Sequence, residues 1–102
     1  MIERQIAYEI VLASIEEALR GTGVPVPENM NEETVLVGKD AVVDSMGVVA
    51  LIVEVEQRLE TEHGILVTLA NDRAMSQKNS PFRTVRVLTD HVMATAQESL
   101  AQ

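Results

Sequence analysis

Apolar residues recur at helical steps along three stretches of the chain, and the segments between them lose that rhythm. From residue 2 to about 20, Tyr8, Val11, Leu12, Ile15 and Leu19 fall at three- and four-residue intervals, while Glu9, Glu16 and Glu17 lie off that face. Ile2, Ile6 and Ile10 widen the stripe, which predicts a first helix buried on two sides. Gly21 and Gly23 stop it, and Pro25 and Pro27 keep it from resuming. A second helix is predicted over residues 45 to about 62, with Val48, Ile52, Val55 and Leu59 as its core face. Met46, Val49 and Val53 form a second apolar stripe beside that face, and Glu54, Glu56, Gln57, Arg58 and Glu60 fill the remainder. A last helix begins at Thr84, with Val85, Leu88, Val92 and Ala96 on one side; residues 97–102 are expected to fray.

The connecting segments have their own signatures. Residues 21–44 show no sustained period, and a connection of that length in a small domain is expected to be ordered or functional. Asn31 to Thr34 reads as a turn, Val35-Leu36-Val37 as apolar anchors, and Gly38 and Asp40 as turn residues. The run Ile65-Leu66-Val67-Thr68-Leu69 is β-branched enough for a strand but has no second strand to pair with, so a loop pinned by apolar side chains is expected. Residues 71–77 suggest a short helix capped by Asn71 or Asp72, and Ser80-Pro81 a break. The pattern predicts one all-α domain over residues 1–102: a bundle of three main helices plus a short one, with a long loop between the first two.

Composition narrows the function classes. Tyr8 and Phe82 are the aromatic residues, so the core must be built from Val, Ile, Leu, Met and Ala. A net charge of −8 disfavours nucleic acid and anionic membrane surfaces, and favours soluble partners carrying basic patches. The chain has no cysteine, so any thiol chemistry must come from an attached group. No segment reaches membrane-spanning length, and the acidic N-terminal turns do not suit a signal peptide; a cytoplasmic monomer without membrane insertion is expected.

Asp44-Ser45-Met46 sits where the long loop gives way to the second helix. A serine hydroxyl there lies beside the unpaired amides and partial positive charge of a helix start, a setting that suits a phosphate ester. By themselves these residue types equally make an ordinary helix cap. The surroundings add to them: Thr34 to Gly38, Val43 to Met46, Leu51-Ile52, Val55-Glu56 and Leu59, then Phe82-Arg83-Thr84-Val85, Leu88 and His91-Val92. In this order and spacing, over roughly residues 6 to 93, the chain resembles the acyl carrier protein family.

That resemblance implies a 4′-phosphopantetheine arm, taken from coenzyme A and attached covalently to Ser45 by a phosphopantetheinyl transferase. It implies that Asp44 assists the transferase and its magnesium, and that acyl-loading and acyl-transfer enzymes dock on Met46, Val49, Val53, Glu54 and Glu56. The expected function is that of a discrete acyl carrier, not an enzyme, holding its cargo as a thioester. The alternatives are an aminoacyl or peptidyl carrier, or an unmodified helical interaction module. Gly47 and Ala50 stand where fatty-acid carriers usually place acids, Val43 replaces their glycine or alanine, and the segment before the last helix looks long. The surface near Ser45 is therefore expected to be apolar and poor in charge, which points to a specialised lipid, envelope-polysaccharide or secondary-metabolite pathway.

Other chemistry finds little support in the residues. His63 and His91 are the available imidazoles; neither is placed beside Ser45 by any motif, and no Gly-x-Ser-x-Gly elbow surrounds that serine. His63 is expected on the surface at a helix end, and His91 as half-buried packing. Two histidines without cysteine match no common metal-ligand spacing, and no metal site or catalytic residue is expected.

Overall fold

The computed structural model describes residues 3–23, 25–36, 41–43, 45–69 and 82–101; for Thr22, Ser45, Met46 and residues 99–101 it describes the backbone alone. Within these residues the chain forms three helices, α1 (Arg4–Thr22), α2 (Ser45–His63) and α3 (Val85–Ala101). The expected short helix at 71–77 and the break at Ser80-Pro81 lie outside the described residues.

α1 packs against both other helices, which is why its apolar surface wraps so far around. Val11, Ile15 and Leu19 are buried as the periodicity predicts, and Ile10 joins them from the second side. Ala7 and Ala18 are buried too, whereas Tyr8 and Leu12 reach only the edge of the core. Ser14, also buried, donates its hydroxyl to the Ile10 carbonyl at 2.7 Å, and Thr89 in α3 does the same to Val85 at 2.7 Å. Bonding back one turn satisfies each hydroxyl inside an otherwise aliphatic core. α2 contributes Leu51, Ile52, Val55 and Leu59, and α3 contributes Val85, Leu88, Val92 and Ala96. Phe82 is the aromatic residue of that core, while Tyr8 packs partly against its rim.

The helix ends follow from local sequence. α1 runs through Gly21 and stops at Gly23, whose φ of 76° directs its N–H back to the Arg20 and Leu19 carbonyls. Of the two glycines expected to stop the helix, Gly23 alone does so, because it adopts the left-handed conformation that glycine reaches without strain. α2 ends in an αL turn at Gly64 (φ 64°): the Gly64 amide meets the Glu60 carbonyl at 3.0 Å, and the Ile65 amide meets the Leu59 carbonyl at 3.1 Å. Ile65 is thereby folded back onto the core. At the start of α3 the Thr84 hydroxyl accepts the Val87 amide at 3.2 Å, as an N-cap does. α3 continues to Ala101, past Gln97 where fraying is expected from the sequence; the regular spacing of Val85, Leu88, Val92 and Ala96 on the core side supports it for most of its length.

The segment after α2 is not a strand. Ile65 and Leu69 are buried, while Leu66 is 67% exposed, so two apolar anchors pin a loop, as the lack of a pairing partner predicts.

Candidate functional site

The start of α2 is positioned by a chain of contacts that begins at α3. Asn31 to Thr34 forms a compact turn: the Glu33 amide donates to Asn31 Oδ1 at 2.8 Å, and the Asn31 amide donates to Thr34 Oγ1 at 2.9 Å. The chain then runs antiparallel to the residues entering α3, with Val35 bridged to Thr84. The Leu36 amide reaches the Arg83 carbonyl at 2.7 Å, Val85 reaches Thr34 at 3.0 Å, and Arg86 reaches Glu32 at 2.9 Å. Leu36 is fully buried and pins this segment to the core. Residues 37–40 lie outside the described residues, and when the chain is next seen the Val42 amide donates to the Val35 carbonyl at 3.0 Å. Val43 is then buried, and α2 opens at Ser45. The expected packed loop is thus tied down at both sides of the stretch that precedes the serine.

Charge pairs reinforce the far side of this loop. Arg4 of α1 reaches Glu32 in the turn and Asp90 of α3 at 3.2 Å, and Arg86 pairs with Glu33. Hydrogen bonding to Glu32 raises the Arg4 pKa; desolvation opposes the shift and Asp90 adds to it. Arg4 remains 43% exposed, so solvent screens these contacts and they orient the loop more than they stabilise it.

Ser45 is the first residue of α2, and no acid stands in that helix's first turn. Asp44 lies outside the described residues, as do the side chains of Ser45 and Met46. The two apolar stripes of α2 separate clearly. Ile52, Val55 and Leu59 are 5%, 0% and 0% exposed, with Val48 half-buried beside them, whereas Val49 and Val53 are 56% and 46% exposed. Ala50 is exposed between the two valines. Gly47 departs from expectation: it is buried, so it contributes to the packed side of the helix and not to the apolar surface near Ser45. Leu51, fully buried, completes a core face one position broader than the periodicity alone suggests.

The acids of α2 are less uniform than a solvated face. Arg58 lies between Glu54, at 3.1 Å, and Glu62, at 3.7 Å, so part of this charge is neutralised within the helix. Glu56, expected as a docking charge, turns instead to the following loop, where its Oε2 accepts the Leu69 amide at 2.7 Å. Glu60 is exposed. Nothing in the local pattern distinguishes Glu56 from its neighbours, because its partner is a backbone group 13 residues away.

The histidines occupy the environments expected of them. His63 ends α2 in an exposed position, and 18 residues of helix separate it from Ser45, about 27 Å along the axis. His91 is half-buried; its Nε2 donates to the Leu69 carbonyl at 3.1 Å, and its ring meets Phe82 edge-on with centroids 5.7 Å apart. Among the described residues no group of three or more His, Asp or Glu side chains is placed to hold a metal ion. A groove of about 390 Å³ between α1 and α2 is floored by Ile6, Ile10 and Ala13 and edged by Arg58, Glu62 and His63, at the end of α2 away from Ser45. No described helix is long and apolar enough to cross a membrane. No protein-family model, curated protein or solved structure matches the chain.

Proposed function

We propose that the chain is a discrete acyl carrier whose 4′-phosphopantetheine arm is attached to Ser45. The observation that carries this reading is the composition of α2 around its start. Ser45 opens the helix with no acid in the first turn, and the exposed side chains one and two turns on are Val49, Ala50 and Val53. The free amides and dipole of a helix start favour a phosphodiester at that position. Exposed valines beside the core face of α2 offer a partner enzyme an apolar contact near the arm.

The transfer itself needs little from the carrier. The Ser45 hydroxyl oxygen forms the new bond to phosphorus, the phosphoanhydride of coenzyme A breaks, and the nucleotide half leaves while the hydroxyl proton passes to a base on the transferase. Asp44 is assigned to assist that complex and its magnesium. The arm supplies the thiol that this cysteine-free chain lacks, and tethering raises the effective concentration of the cargo at each docked enzyme. The small all-α bundle fits this reading, and the exposed, uncharged Ala50 favours a specialised lipid, polysaccharide or secondary-metabolite pathway over general fatty-acid synthesis.

Intact mass spectrometry after incubation with coenzyme A and a broad-specificity phosphopantetheinyl transferase tests the assignment. The wild-type chain gains one arm, and Ser45→Ala gains none while keeping its helical circular dichroism. Unmodified wild-type protein favours an interaction module that has kept the bundle, and a mass gain in Ser45→Ala moves the site elsewhere. Loading assays with acyl- and amino-acid-activating enzymes then distinguish an acyl carrier from an aminoacyl or peptidyl carrier.

A further inference from the structure

Among the described residues α2 and α3 each pack against α1, and no close backbone approach joins α2 to α3 directly. The backbone of Leu69 spans that gap. Its amide donates to Glu56 Oε2 of α2 at 2.7 Å, and its carbonyl accepts from His91 Nε2 of α3 at 3.1 Å. A carbonyl has no proton to give, so Nε2 carries the hydrogen in this contact. The Leu69 side chain is fully buried, and the His91 ring is braced edge-on by Phe82. At the other end of the segment, Gly64 supplies a left-handed turn and Ile65 an apolar anchor. Leu66 and Thr68 between these points are exposed, and Val67 is half-buried.

A segment fixed at its two ends and exposed between them has few buried contacts of its own, which is the composition of a locally opening unit. We propose that Glu56 and His91 form a two-sided latch on Leu69, so that residues 64–69 open and close on the bundle as one unit while the core centred on α1 stays folded. Each side chain holds a different backbone atom of one residue, in the two successive peptide groups that meet at its Cα. Releasing either therefore weakens the grip on both, and α2 and α3 lose one of the described contacts that link them. Glu56 acts as a positioning residue in this device, which explains why this acid of α2 is half-buried against the following loop.

Residue-level amide hydrogen exchange tests this through a cross effect. His91→Phe keeps a ring against Phe82 but removes the donor to the Leu69 carbonyl; it leaves the Glu56 contact to the amide untouched. The Leu69 amide should nevertheless exchange faster, by about ten- to a hundredfold for the loss of one partly buried hydrogen bond. The Val11 and Ile15 amides in α1 should keep their rates. His91→Gln, whose side-chain amide can donate again, should restore protection, and Glu60→Ala should leave the wild-type rate. An unchanged Leu69 amide in His91→Phe overturns the latch, as does equal acceleration in α1, which would mean the whole bundle opens together. If His91→Phe does not fold, Glu56→Ala carries the test from the other side: the His91 Nε2 proton must exchange faster than in wild type, and an unaltered rate overturns the proposal.

Discussion

Ile52→Ala and Val49→Ala remove apolar carbons three positions apart on the same helix, and the structure assigns them opposite consequences. Ile52 is 5% exposed in the core. Truncation deletes three carbons from that environment, a transfer loss of about 2.4 kcal/mol at about 0.8 kcal/mol per methylene. The cavity left behind adds to this, giving an expected cost of about 3 kcal/mol within the range of about 2–5 kcal/mol for such changes. Val49 is 56% exposed, so most of its truncated surface was already in water. Exposed substitutions typically stay within about 0.5 kcal/mol. Alanine is also the better helix former by up to about 0.7 kcal/mol, so Val49→Ala should be neutral or slightly stabilising. For a domain of this size each kcal/mol shifts the thermal midpoint by about 4–8 °C. Ile52→Ala should therefore melt at least about 10 °C lower than wild type, and Val49→Ala within a few degrees, about 4 °C at most. Chemical denaturation with circular dichroism gives the same comparison free of thermal irreversibility. Equal destabilisation by the two variants would place Val49 in the core and refute the separation of the stripes; an Ile52→Ala midpoint matching wild type would refute it from the other side.

Two further outcomes follow from the same contacts. Thr84→Ala removes the acceptor for the Val87 amide at the start of α3 and should cost about 1 kcal/mol in equilibrium unfolding; Arg4→Ala breaks an exposed pair with Asp90 and a pair with the half-buried Glu32, and the part of its effect that comes from Asp90 should shrink as salt is added. Ala50→Glu places an acid on the exposed side of α2 and should improve turnover by general fatty-acid enzymes once the arm is attached, with the gain fading at high salt. Gly47 is unsuitable for the same experiment, because an acid there would be introduced at a buried position.

Much of the bundle is legible from the spacing of apolar residues, because helix faces are a local property. The end of α2 and the start of α3 follow directly from Gly64 and Thr84, residues whose capping behaviour depends on their own neighbours. Gly21 and Gly23 could not be ranked in that way: both can end a helix, and only the backbone path shows that Gly23 takes the positive φ. Gly47 misleads for a related reason. A residue without a side chain carries no hydropathy signal, so its burial is decided by how closely α2 approaches the rest of the fold. The bridge between Val35 and Thr84 was equally hidden, since it joins two loop segments separated by about half of the chain and leaves no periodic trace.

The acids of α2 show where reading from residue type alone reaches its limit, and they also sharpen the proposed docking surface. Glu54, Glu56, Glu60 and Glu62 look interchangeable along the sequence, yet two of them flank Arg58 and one holds a peptide of the next segment. Each such commitment restricts the carboxylate to one geometry and lowers the charge available to a partner. Among the described residues of α2, the exposed positions nearest Ser45 along the helix are Val49, Ala50 and Val53, which carry no charge at all. Electrostatic steering over a Debye length of about 8 Å at physiological salt must then come from charges farther along the helix, of which exposed Glu60 is the clearest. An enzyme that recognises this surface should depend on shape and apolar contact at the valines for its residence time, and on charge mainly for the rate of encounter. That division is what favours partners different from those that read acids at the start of the helix.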